Sequence, residues 1–474
     1  MPRAGEVERA VRRAVLAALL VGTLFATAAG QTAPSAADSA LAVEILEELV
    51  EIRTLSGSPA TVEAAEALAA RLRAAGFSAE DVQVTGPEPG LGNLVARYRG
   101  DGTGGAPILL MAHLDVVDAR PEDWSVDPFT LTEEEGWWYG RGTTDNKAGA
   151  AMLVANFIRY RQQEFVPDRD LIIVLTADEE TTSASIKWLV GEGREHIDDP
   201  AFALNTDSGG GILRDSEEAM FGVQASEKIY LTFQLEVTNP GGHSSRPTPD
   251  NAIYRLAGGL NRIAAHRFPV ELNDVMRAFF ERSAALEEGQ LAADMRAVAA
   301  TPPDPAAAER LSESPYYNAL MRTTCVATRL EAGHADNALP QTARATVNCR
   351  VLPGGSPDEI ERIVAEVLAD DEIAISRVNV PTASPPSPLT PDVLGPIEEL
   401  AGAMWPGVPV VPLMSTGATD GLYVRNAGIP VYGVSAIFSD PDDARAHGKD
   451  ERIAIDRFYE ALEYWYRLVR NLSR

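Results

Sequence analysis

The chain is poor in cysteine and in basic residues, and each shortage excludes a class of protein. Two cysteines among 474 residues are too few for a disulfide framework to hold the fold together. Lysine and arginine number 41 against 69 aspartates and glutamates, so the formal net charge is −28. This charge repels nucleic acid and anionic membranes, and we expect no nucleic-acid partner. The 45% share of hydrophobic residues is instead typical of a globular protein, with roughly 150 residues per domain.

The apolar run nearest the N-terminus is short. A basic stretch that ends at Arg13 precedes the run AVLAALLVGTLFA, and TAAGQTA follows it. This layout predicts a secretory signal peptide over residues 1–30, cleaved before Gln31. We expect an exported protein, periplasmic or secreted, with no stable membrane span after cleavage. An uncleaved anchor is the alternative, although the run is short for a membrane span.

The two cysteines, Cys325 and Cys349, lie in two β-rich runs that could pair as neighbouring strands. An exported protein can oxidise such a pair to a disulfide. Two buried free thiols are an equal alternative.

Strands alternate with helices in the first half of the chain. Two helical runs fall within residues 41–75, and the β-prone runs APILLMAHLDVV and LIIVLTADEE flank the helical run KAGAAMLVANFIRYRQQ. This order predicts an α/β domain with a mixed, mostly parallel sheet and helices on both faces. Such sheets bind their ligands at the carboxyl ends of the strands.

The pattern changes near Glu227. From there to about residue 381 the order is β-α-β-β-α-β, which predicts an inserted ferredoxin-like α+β domain. A segment rich in Ala, Glu and Pro at 268–317 interrupts it, and we expect this segment to be helical without assigning it a role. The larger domain then comprises residues 31–226 and 382–474, and the inserted domain comprises residues 227–381.

Potential metal ligands occur where apolar runs end or helices begin. They are His113 and Asp115 in AHLD, Asp145 in GTTDNK, Glu179 and Glu180 in TADEE, Asp207 in NTDSGG and His447 in AHGKDE. Each is weak evidence alone, because acidic strand ends are usually solvated. Together they supply the mixed set of imidazoles and carboxylates that suits zinc, cobalt or manganese at an open hydrolytic site.

These segments, together with WWYGRGTTDNKAG, TNPGGHSSRP, NALP and GATDG, resemble those of the M20 metallopeptidases. That family includes carboxypeptidase S-like enzymes, aminoacylase-1, succinyl-diaminopimelate desuccinylase and glutamate carboxypeptidase. The resemblance runs from about residue 40 to the C-terminus in the family's order, and it includes the inserted domain. It implies that the larger domain is catalytic and that the inserted domain serves as a lid or for dimerisation. It implies a homodimer with two divalent ions per subunit, Zn²⁺ in the first place and Co²⁺ or Mn²⁺ as alternatives.

The resemblance also implies a role for each residue of the set. His113 and Asp207 would bind one metal, Glu180 and His447 the other, and Asp145 both. Glu179 would be the general base, and Asp115 would orient His113 through its second ring nitrogen. A cis peptide bond would join Asp145 to Asn146. Asp178 is left as a plain strand-end residue.

This arrangement has a clear hydrolytic chemistry. Two divalent ions can hold a water between them and lower its pKa from about 15.7 toward neutrality, so that a metal-bound water is the nucleophile. Glu179 would take a proton from that water and return it to the departing amine. A metal and a nearby donor would stabilise the tetrahedral species.

Further residues are implied around the substrate. His243 would be the oxyanion donor, often reaching the partner subunit's site in a dimer; without the family it is typical of a cap on a glycine-rich turn. Asn337 and Arg350 would hold the substrate's carboxylate, and pairing with a local acid is an equal alternative for Arg350. Gly417 and Thr419, in STGATDG, would offer donors near the substrate, or this run is simply a tight loop.

The predicted function is therefore that of an exported dinuclear-metal hydrolase. It would cleave the amide bond of peptides or N-acyl amino acids that carry a free carboxylate, as a metallocarboxypeptidase or an aminoacylase does. One alternative is an M28-like aminopeptidase, against which the lid domain argues. Another is a metal-binding or ligand-binding protein without activity, which would show a broken ligand set, whereas here every position holds a competent residue.

Overall fold

The computed structural model describes residues 33–55 and 58–474, so the predicted signal segment at 1–30 lies outside the described residues. The described residues form thirteen α-helices: α1 Ala36–Glu51, α2 Ala60–Ala74, α3 Lys147–Gln162, α4 Ala184–Val190, α5 Ala252–Ala265, α6 Asp274–Ser283, α7 Gly289–Ala299, α8 Pro305–Leu311, α9 Pro315–Met321, α10 Pro357–Leu368, α11 Pro391–Met404, α12 Gly421–Asn426 and α13 Ile455–Leu472. Among these helices none combines the length and hydrophobicity that a membrane crossing requires.

The strands of the described residues number nineteen. They are β1 Val82–Thr85, β2 Asn93–Tyr98, β3 Ile108–His113, β4 Thr132–Glu134, β5 Trp137–Tyr139, β6 Leu171–Thr176, β7 Phe202–Asn205, β8 Gly210–Arg214, β9 Glu217–Glu227, β10 Ile229–Thr238, β11 Gly242–His243, β12 Thr324–Ala332, β13 Ala338–Leu339, β14 Thr342–Val351, β15 Ala374–Arg377, β16 Val410–Ser415, β17 Val431–Gly433, β18 Phe438–Ser439 and β19 Arg452–Ala454.

A ten-stranded mixed sheet forms the larger layer of the molecule. Its order is β1-β2-β6-β3-β7-β17-β9-β8-β18, and β16 pairs with β9 outside this path. The central strand β3 runs parallel to both β6 and β7, so these three strands end at the same edge. The predicted α/β fold with a mixed sheet is confirmed.

Alternating side chains of the central strands explain why helices cover both faces. Leu110 and Ile173 belong to the main core, which helices α1, α3 and α13 complete. Their neighbours Leu109 and Ile172 point to the opposite face, where they pack with α4 and α12. Because side chains alternate along a strand, a continuous apolar run such as LIIVL suits a strand that is buried on both faces.

A second sheet contains the strands β12, β14, β10 and β15, in that order, and all neighbours are antiparallel. In chain order this is 2-3-1-4, the arrangement of a ferredoxin-like β-α-β-β-α-β unit. Helices α5 and α10 cover one face through residues such as Leu256 and Val364. The predicted element order is confirmed, whereas the residue boundaries of the domains stay predictions.

The segment at 268–317 is helical, as predicted, and its helices α6 to α9 pack against the first sheet rather than the second. Met276 and Phe280 share a core with Met220 of β9 and with Val411 and Met414 of β16. The segment therefore covers the outer strand of the large sheet.

The two cysteines face each other across β12 and β14 and form a disulfide, with 4.0 Å between the Cα atoms. The alternative of two free thiols is therefore excluded. The bridge ties an edge strand of the second sheet to its neighbour.

Candidate metal centre

The predicted ligands meet at the carboxyl edge of the large sheet. His113 is the last residue of β3, Glu179 and Glu180 follow β6, and Asp207 follows β7. Because these strands are parallel neighbours, the residues that follow them lie close together. Asp145 lies just before helix α3, and its peptide bond to Asn146 is cis, as the resemblance implied.

Asp145 lies between the two imidazoles. One of its carboxylate oxygens, Oδ1, is 2.8 Å from Nε2 of His113, and the other, Oδ2, is 2.9 Å from Nε2 of His447. Asp207 Oδ1 lies 3.7 Å from Nε2 of His113, and Glu180 Oε1 lies 3.0 Å from Nε2 of His447. Each half of the site thus has one imidazole and one carboxylate of its own, and both halves share Asp145.

The donor set fits divalent cations. The ligand atoms of His113, Asp145 and Glu180 all lie within 4.8 Å of one another, and so do those of His113, Glu179 and Asp207. Nitrogen and oxygen donors in this mixture suit zinc and related metals, and a shared carboxylate suits two ions close together. The residues present therefore fit the two metal ions that the sequence predicted.

Electrostatics at the site indicate the same ligand class. Burial raises the pKa of Asp207 to about 7, and burial together with Asp207 raises the pKa of Glu179 well above its ordinary value. Hydrogen bonds to carboxylates raise the pKa of His447 to about 10. Burial alone would lower the pKa of His113, but neighbouring carboxylates reverse this and raise it. Asp207 and Glu179 lack the positive charge that would keep both ionised, and bound cations would supply it.

Asp115 stabilises the site in two ways. Its backbone carbonyl lies 2.9 Å from Nδ1 of His113, whereas its carboxylate lies 3.6 Å from the same nitrogen. A carbonyl can only accept, so Nδ1 carries the proton and Nε2 faces the other ligands. The Asp115 carboxylate accepts the backbone N–H groups of Glu179 and Glu180, at 3.0 and 3.1 Å. Asp115 therefore orients His113 mainly through its backbone, and its side chain holds the turn that carries both glutamates.

Asp178 was expected to be a plain strand-end residue, but it has a structural role. It is buried, and its carboxylate accepts the backbone N–H groups of Ala184 and Ser185 at 2.7 and 2.9 Å, together with the hydroxyl of Thr182. Ala184 and Ser185 open helix α4, so Asp178 caps that helix. Of the three consecutive acids, this one is structural.

The role of Glu451 was not predicted from the sequence, although this residue organises the turn that carries Asp145. The carboxylate is fully buried and accepts from Arg141 Nη1 at 2.7 Å. It also accepts the backbone N–H groups of Gly142, Thr144 and Asp145 and the hydroxyl of Thr144, at 2.8 to 3.1 Å. Its position four residues after His447 was the available signal, but its partners lie some 300 residues away in the chain.

His243 and Asn337 lie together where β11 pairs with β13. Strand β11 pairs with β13, which places His243 opposite Ala338, and Ser244 N–H donates to the carbonyl of Asn337 at 3.0 Å. His243 is exposed, and its Nδ1 accepts the N–H of Ser245 at 3.2 Å. No hydrogen bond or ion pair between described residues joins His243 to the metal ligands of its own chain.

Arg350 reaches the STGATDG loop. Its Nη1 donates to the carbonyl of Thr416 at 3.2 Å, and its guanidinium lies 4.7 Å above the ring of Tyr230. Burial lowers its pKa from the ordinary value. In the part of the chain that the structure describes, no carboxylate lies within ion-pair distance of Arg350. The alternative, in which Arg350 forms a structural ion pair with a local acid, is therefore not supported among the described residues.

Thr419 and Gly417 both already donate their backbone N–H groups to other residues of the chain. Thr419 is buried, and both its N–H and its hydroxyl donate to Glu227 at 2.9 Å, so neither is free for a substrate. This corrects the expectation for Thr419, whose place is in the support of the loop. Gly417 is exposed, and its N–H donates to Ser415 Oγ at 3.1 Å.

Comparison with known proteins gives a family match over most of the chain. The model of peptidase family M20/M25/M40 matches residues 109–471. The N-fatty-acyl-amino acid synthase/hydrolase PM20D1 of Homo sapiens is 28% identical over 379 residues, which cover 77% of this chain and 74% of that protein. The probable carboxypeptidase S-like 2 of Dictyostelium discoideum is 27% identical, with 81% and 75% covered.

Solved structures share the fold. An M20 family metallo-carboxypeptidase from Sulfolobus solfataricus has a TM-score of 0.69 at 17% identity and covers 91% of this chain and 99% of its own. Human carnosine dipeptidase 1 has a TM-score of 0.63 at 16% identity, with 92% and 96% covered. At these identities the likeness concerns the fold alone.

Proposed function

The chain belongs to peptidase family M20/M25/M40 and is an amide-bond hydrolase, and from that premise we propose that it cleaves peptides or N-acyl amino acids beside a free carboxylate. One observation carries the proposal: Asp145 lies between two imidazoles, each with a carboxylate of its own, and Glu179 stands beside them. An M28-like aminopeptidase is not supported, since the family match and the second sheet both argue against it.

Two divalent ions, Zn²⁺ in our proposal, would polarise the amide carbonyl and acidify a water when bound. His113 and Asp207 would hold one ion, His447 and Glu180 the other, and Asp145 both. Glu179 accepts a proton at its carboxylate and returns it to the departing amine. A carboxylate that stands beside the ions without being assigned to either suits this work.

Arg350 would hold the substrate's carboxylate. Its guanidinium has no acidic partner among the described residues, and it lies against the loop that contains Gly417. A planar guanidinium binds a carboxylate through two parallel hydrogen bonds. Two names among the relatives favour a substrate with a free carboxylate, namely N-fatty-acyl-amino acid synthase/hydrolase and carboxypeptidase S-like.

We also propose export and a homodimer. The pattern of residues 1–30 supports export to the periplasm or the medium, and the Cys325–Cys349 disulfide suits an oxidising compartment. The separation of His243 from the ligands of its own chain supports a dimer in which His243, and Asn337 beside it, serve the partner subunit's site.

The test combines metal analysis with hydrolysis of a panel of dipeptides and N-acyl amino acids. We expect two metal ions per chain and hydrolysis of at least one class. Glu179→Ala should keep both metals and lose about 10²- to 10⁴-fold in kcat. The matched control, Glu180→Ala, should lose one metal. Wild-type protein that carries two metals but hydrolyses nothing on the panel, or full activity in Glu179→Ala, would contradict the proposal.

A further inference from the structure

Glu227 is a fully buried carboxylate outside the set of metal ligands. It is the last residue of β9, and β10 begins at Ile229, so the chain passes from the large sheet to the second sheet at this point. Its oxygens accept from the guanidinium of Arg425, from Gln224 Nε2 at 2.7 Å and from both donors of Thr419. A carboxylate has about four sites for accepting hydrogen bonds, so this one is already saturated by its own chain.

The exposed part of the STGATDG loop, residues 416–418, is held on both sides by Glu227 and its neighbour Lys228. On one side, the N–H of Lys228 donates to the carbonyl of Ser415 at 3.0 Å. On the other side, the carboxylate of Glu227 accepts the N–H and the hydroxyl of Thr419, each at 2.9 Å. The exposed part of the loop is therefore fixed on both sides to the end of β9.

Arg350 contacts this exposed part of the loop. Its Nη1 donates to the carbonyl of Thr416 at 3.2 Å, and in the proposed function its guanidinium holds the substrate's carboxylate. The hydrogen bond to Thr416 and the ring of Tyr230 hold the guanidinium in place, so a shift of the loop would move it. The geometry of the carboxylate site thus depends on the support that Glu227 gives to the loop.

The same loop is hydrogen-bonded to two strands that the predicted metal ligands follow. The hydroxyl oxygen of Thr419 accepts from Asn205 Nδ2 at 3.4 Å, and Asn205 Oδ1 accepts the N–H of Asp207 at 3.1 Å. Asp420 accepts from the hydroxyl of Thr176 at 2.6 Å, and Thr176 is the last residue of β6. A loop with fixed ends therefore has a defined position relative to the ends of β6 and β7.

Arg425 joins Glu227 to the segment by which the chain returns to the large sheet. Its Nη2 donates to Glu227, and its Nε donates to Ser384 Oγ at 3.2 Å; all three side chains are buried. Ser384 lies between β15 of the second sheet and helix α11, which packs in the main core. Both passages of the chain between the two sheets therefore meet at one buried ion pair.

Stability alone does not require such a pair. Replacement of a buried ion pair by apolar residues of similar volume is often neutral or stabilising, because the cost of desolvation offsets the attraction between the charges. A buried ion pair can instead fix the groups around it in one arrangement, because charge-assisted hydrogen bonds are short and directional. Around Glu227, these groups are the sides of the loop and the two passages of the chain.

We propose that Glu227 is a positioning residue: with Arg425 it fixes the STGATDG loop relative to the metal ligands, so that a substrate carboxylate at Arg350 places the scissile amide over them. The inference rests on the proposed function and adds the residue that sets this spacing. Both side chains of the ion pair are buried, so neither touches the substrate. Loss of Glu227 therefore weakens recognition of the carboxylate and leaves the metal ions bound.

The test compares the best substrate of the hydrolysis panel with the same compound as its C-terminal carboxamide, and we expect the wild type to prefer the free acid. Glutamine keeps the volume of Glu227, but it has one acceptor oxygen instead of two. Glu227→Gln should lower kcat/KM for the acid roughly ten- to hundredfold, mainly through KM, and change kcat/KM for the carboxamide less than about threefold. Metal analysis should still find two ions per chain.

Two outcomes of this comparison would overturn the proposal. One is an acid-to-carboxamide ratio of kcat/KM that stays at the wild-type value in Glu227→Gln. The other is an equal loss for both substrates, because a residue that acts only through stability affects them alike.

Substitutions of Thr419 repeat the test with the ion pair intact, and they decide it if Glu227→Gln does not fold. Valine keeps the volume of Thr419 but lacks the hydroxyl that joins Glu227 to Asn205, so Thr419→Val should lower the acid-to-carboxamide ratio. Thr419→Ser keeps the hydroxyl and should keep the wild-type ratio. A wild-type ratio in Thr419→Val would overturn the proposal.

The matched control is Glu463→Gln. Glu463 is also buried and accepts from an arginine, Arg159 Nη1, at 2.8 Å, but this pair joins α13 to α3. The control variant should lose stability against urea and keep the wild-type ratio. A ratio that falls as far in the control as in Glu227→Gln would count against a specific role for Glu227.

Hydrogen exchange separates failure of this inference from failure of the proposed function. Amide exchange in residues 415–421 of the metal-loaded protein, followed by mass spectrometry, should be about tenfold faster or more in Glu227→Gln than in the wild type or Glu463→Gln. Faster exchange together with a wild type that does not distinguish acid from carboxamide would contradict the proposed carboxylate site and keep the support of the loop by Glu227. A wild-type preference for the acid, with exchange and ratio unchanged in Glu227→Gln, would do the reverse.

Discussion

Asp145 joins the two halves of the metal centre because its two oxygens face different imidazoles. Such a carboxylate is useful only if its position is exact, and a side chain in a turn has no strand or helix to hold it. The turn is instead held by Glu451, which accepts three backbone N–H groups and two side-chain donors from residues 141–145. A buried acid therefore determines where the carboxylate proposed to bridge the two ions lies.

We predict that Glu451→Gln weakens metal binding about ten- to hundredfold, the usual cost of a lost supporting hydrogen bond at a metal site. The variant keeps the side-chain volume but leaves Arg141 buried without a charge partner. Competition with a chelator of known affinity measures the effect. The matched control is Glu133→Gln, at an exposed position of β4.

The double variant Arg141→Met/Glu451→Gln removes the unpaired charge and tests whether the loss concerns positioning or folding. We expect it to regain stability against urea while metal binding stays weak. Recovery of both would show that Glu451 acts only through stability.

Lys228 makes the stability of the fold depend on pH. It is fully buried, its Nζ donates to the carbonyl of Arg322 at 2.7 Å, and burial together with Arg350 lowers its pKa to about 7. In the unfolded chain the lysine stays protonated up to about pH 10.4. Between these values the unfolded state binds more protons, so stability rises with pH by up to about 1.4 kcal/mol per pH unit.

We predict that Lys228→Met removes this dependence. Urea unfolding at pH 7.5 and 9.5 should show a smaller gain in the free energy of unfolding for the variant than for the wild type. Lys187→Met, at an exposed lysine, should behave like the wild type. An identical gain in all three proteins would contradict the assignment.

At the scale of elements, the helical segment at 274–321 supports the STGATDG loop that Arg350 contacts. Its first helix packs on β16, where Arg282 Nη1 donates to the carbonyl of Val410 at 2.8 Å. Strand β16 ends at Ser415, and the STGATDG loop begins there. The segment therefore stabilises an outer strand whose last residue starts a loop of the site.

The disulfide stabilises the second sheet. It closes a loop between residues 24 positions apart, which in the chain-entropy treatment stabilises a fold by about 3 kcal/mol. We predict that Cys325→Ala/Cys349→Ala loses amide protection in β12 by about that amount, measured by native-state hydrogen exchange. Reduction of the wild type should have the same effect, and the double variant should not respond to reductant. Unchanged protection in β12 would show that the pairing of β12 with β14 needs no bridge.

At the scale of the whole molecule, His243 lies in β11, which pairs with β13, whereas most of the predicted metal ligands lie at the carboxyl edge of the large sheet. If His243 serves the partner subunit's site, a mixture of His243→Ala and His447→Ala subunits contains sites with both residues intact. We predict that such a mixture regains part of the wild-type activity that neither variant shows alone. Native mass spectrometry establishes that heterodimers are present, and no recovery in their presence would contradict the shared site.

The sequence by itself determined the classes of ligand and the strand ends that carry them. His113, Glu179, Glu180 and Asp207 were predictable because an apolar run followed at once by metal-binding side chains is a local pattern. The β-α-β-β-α-β order of the second sheet was predictable for the same reason, since each element has its own periodicity. Asp145 and His447 belonged to the same set of candidates, and the resemblance to the family then gave each residue of the set its role.

Only the tertiary structure decided the features that depend on contacts between distant segments. Glu451 accepts a hydrogen bond from the backbone of Asp145, which lies some 300 residues away in the chain. Thr419 donates to Glu227, and Asp178 caps a helix instead of facing solvent. The disulfide and the packing of the segment at 274–321 have the same origin. Periodicity and motifs report which face of an element is apolar, whereas the partner of each buried polar group depends on how the elements pack in three dimensions.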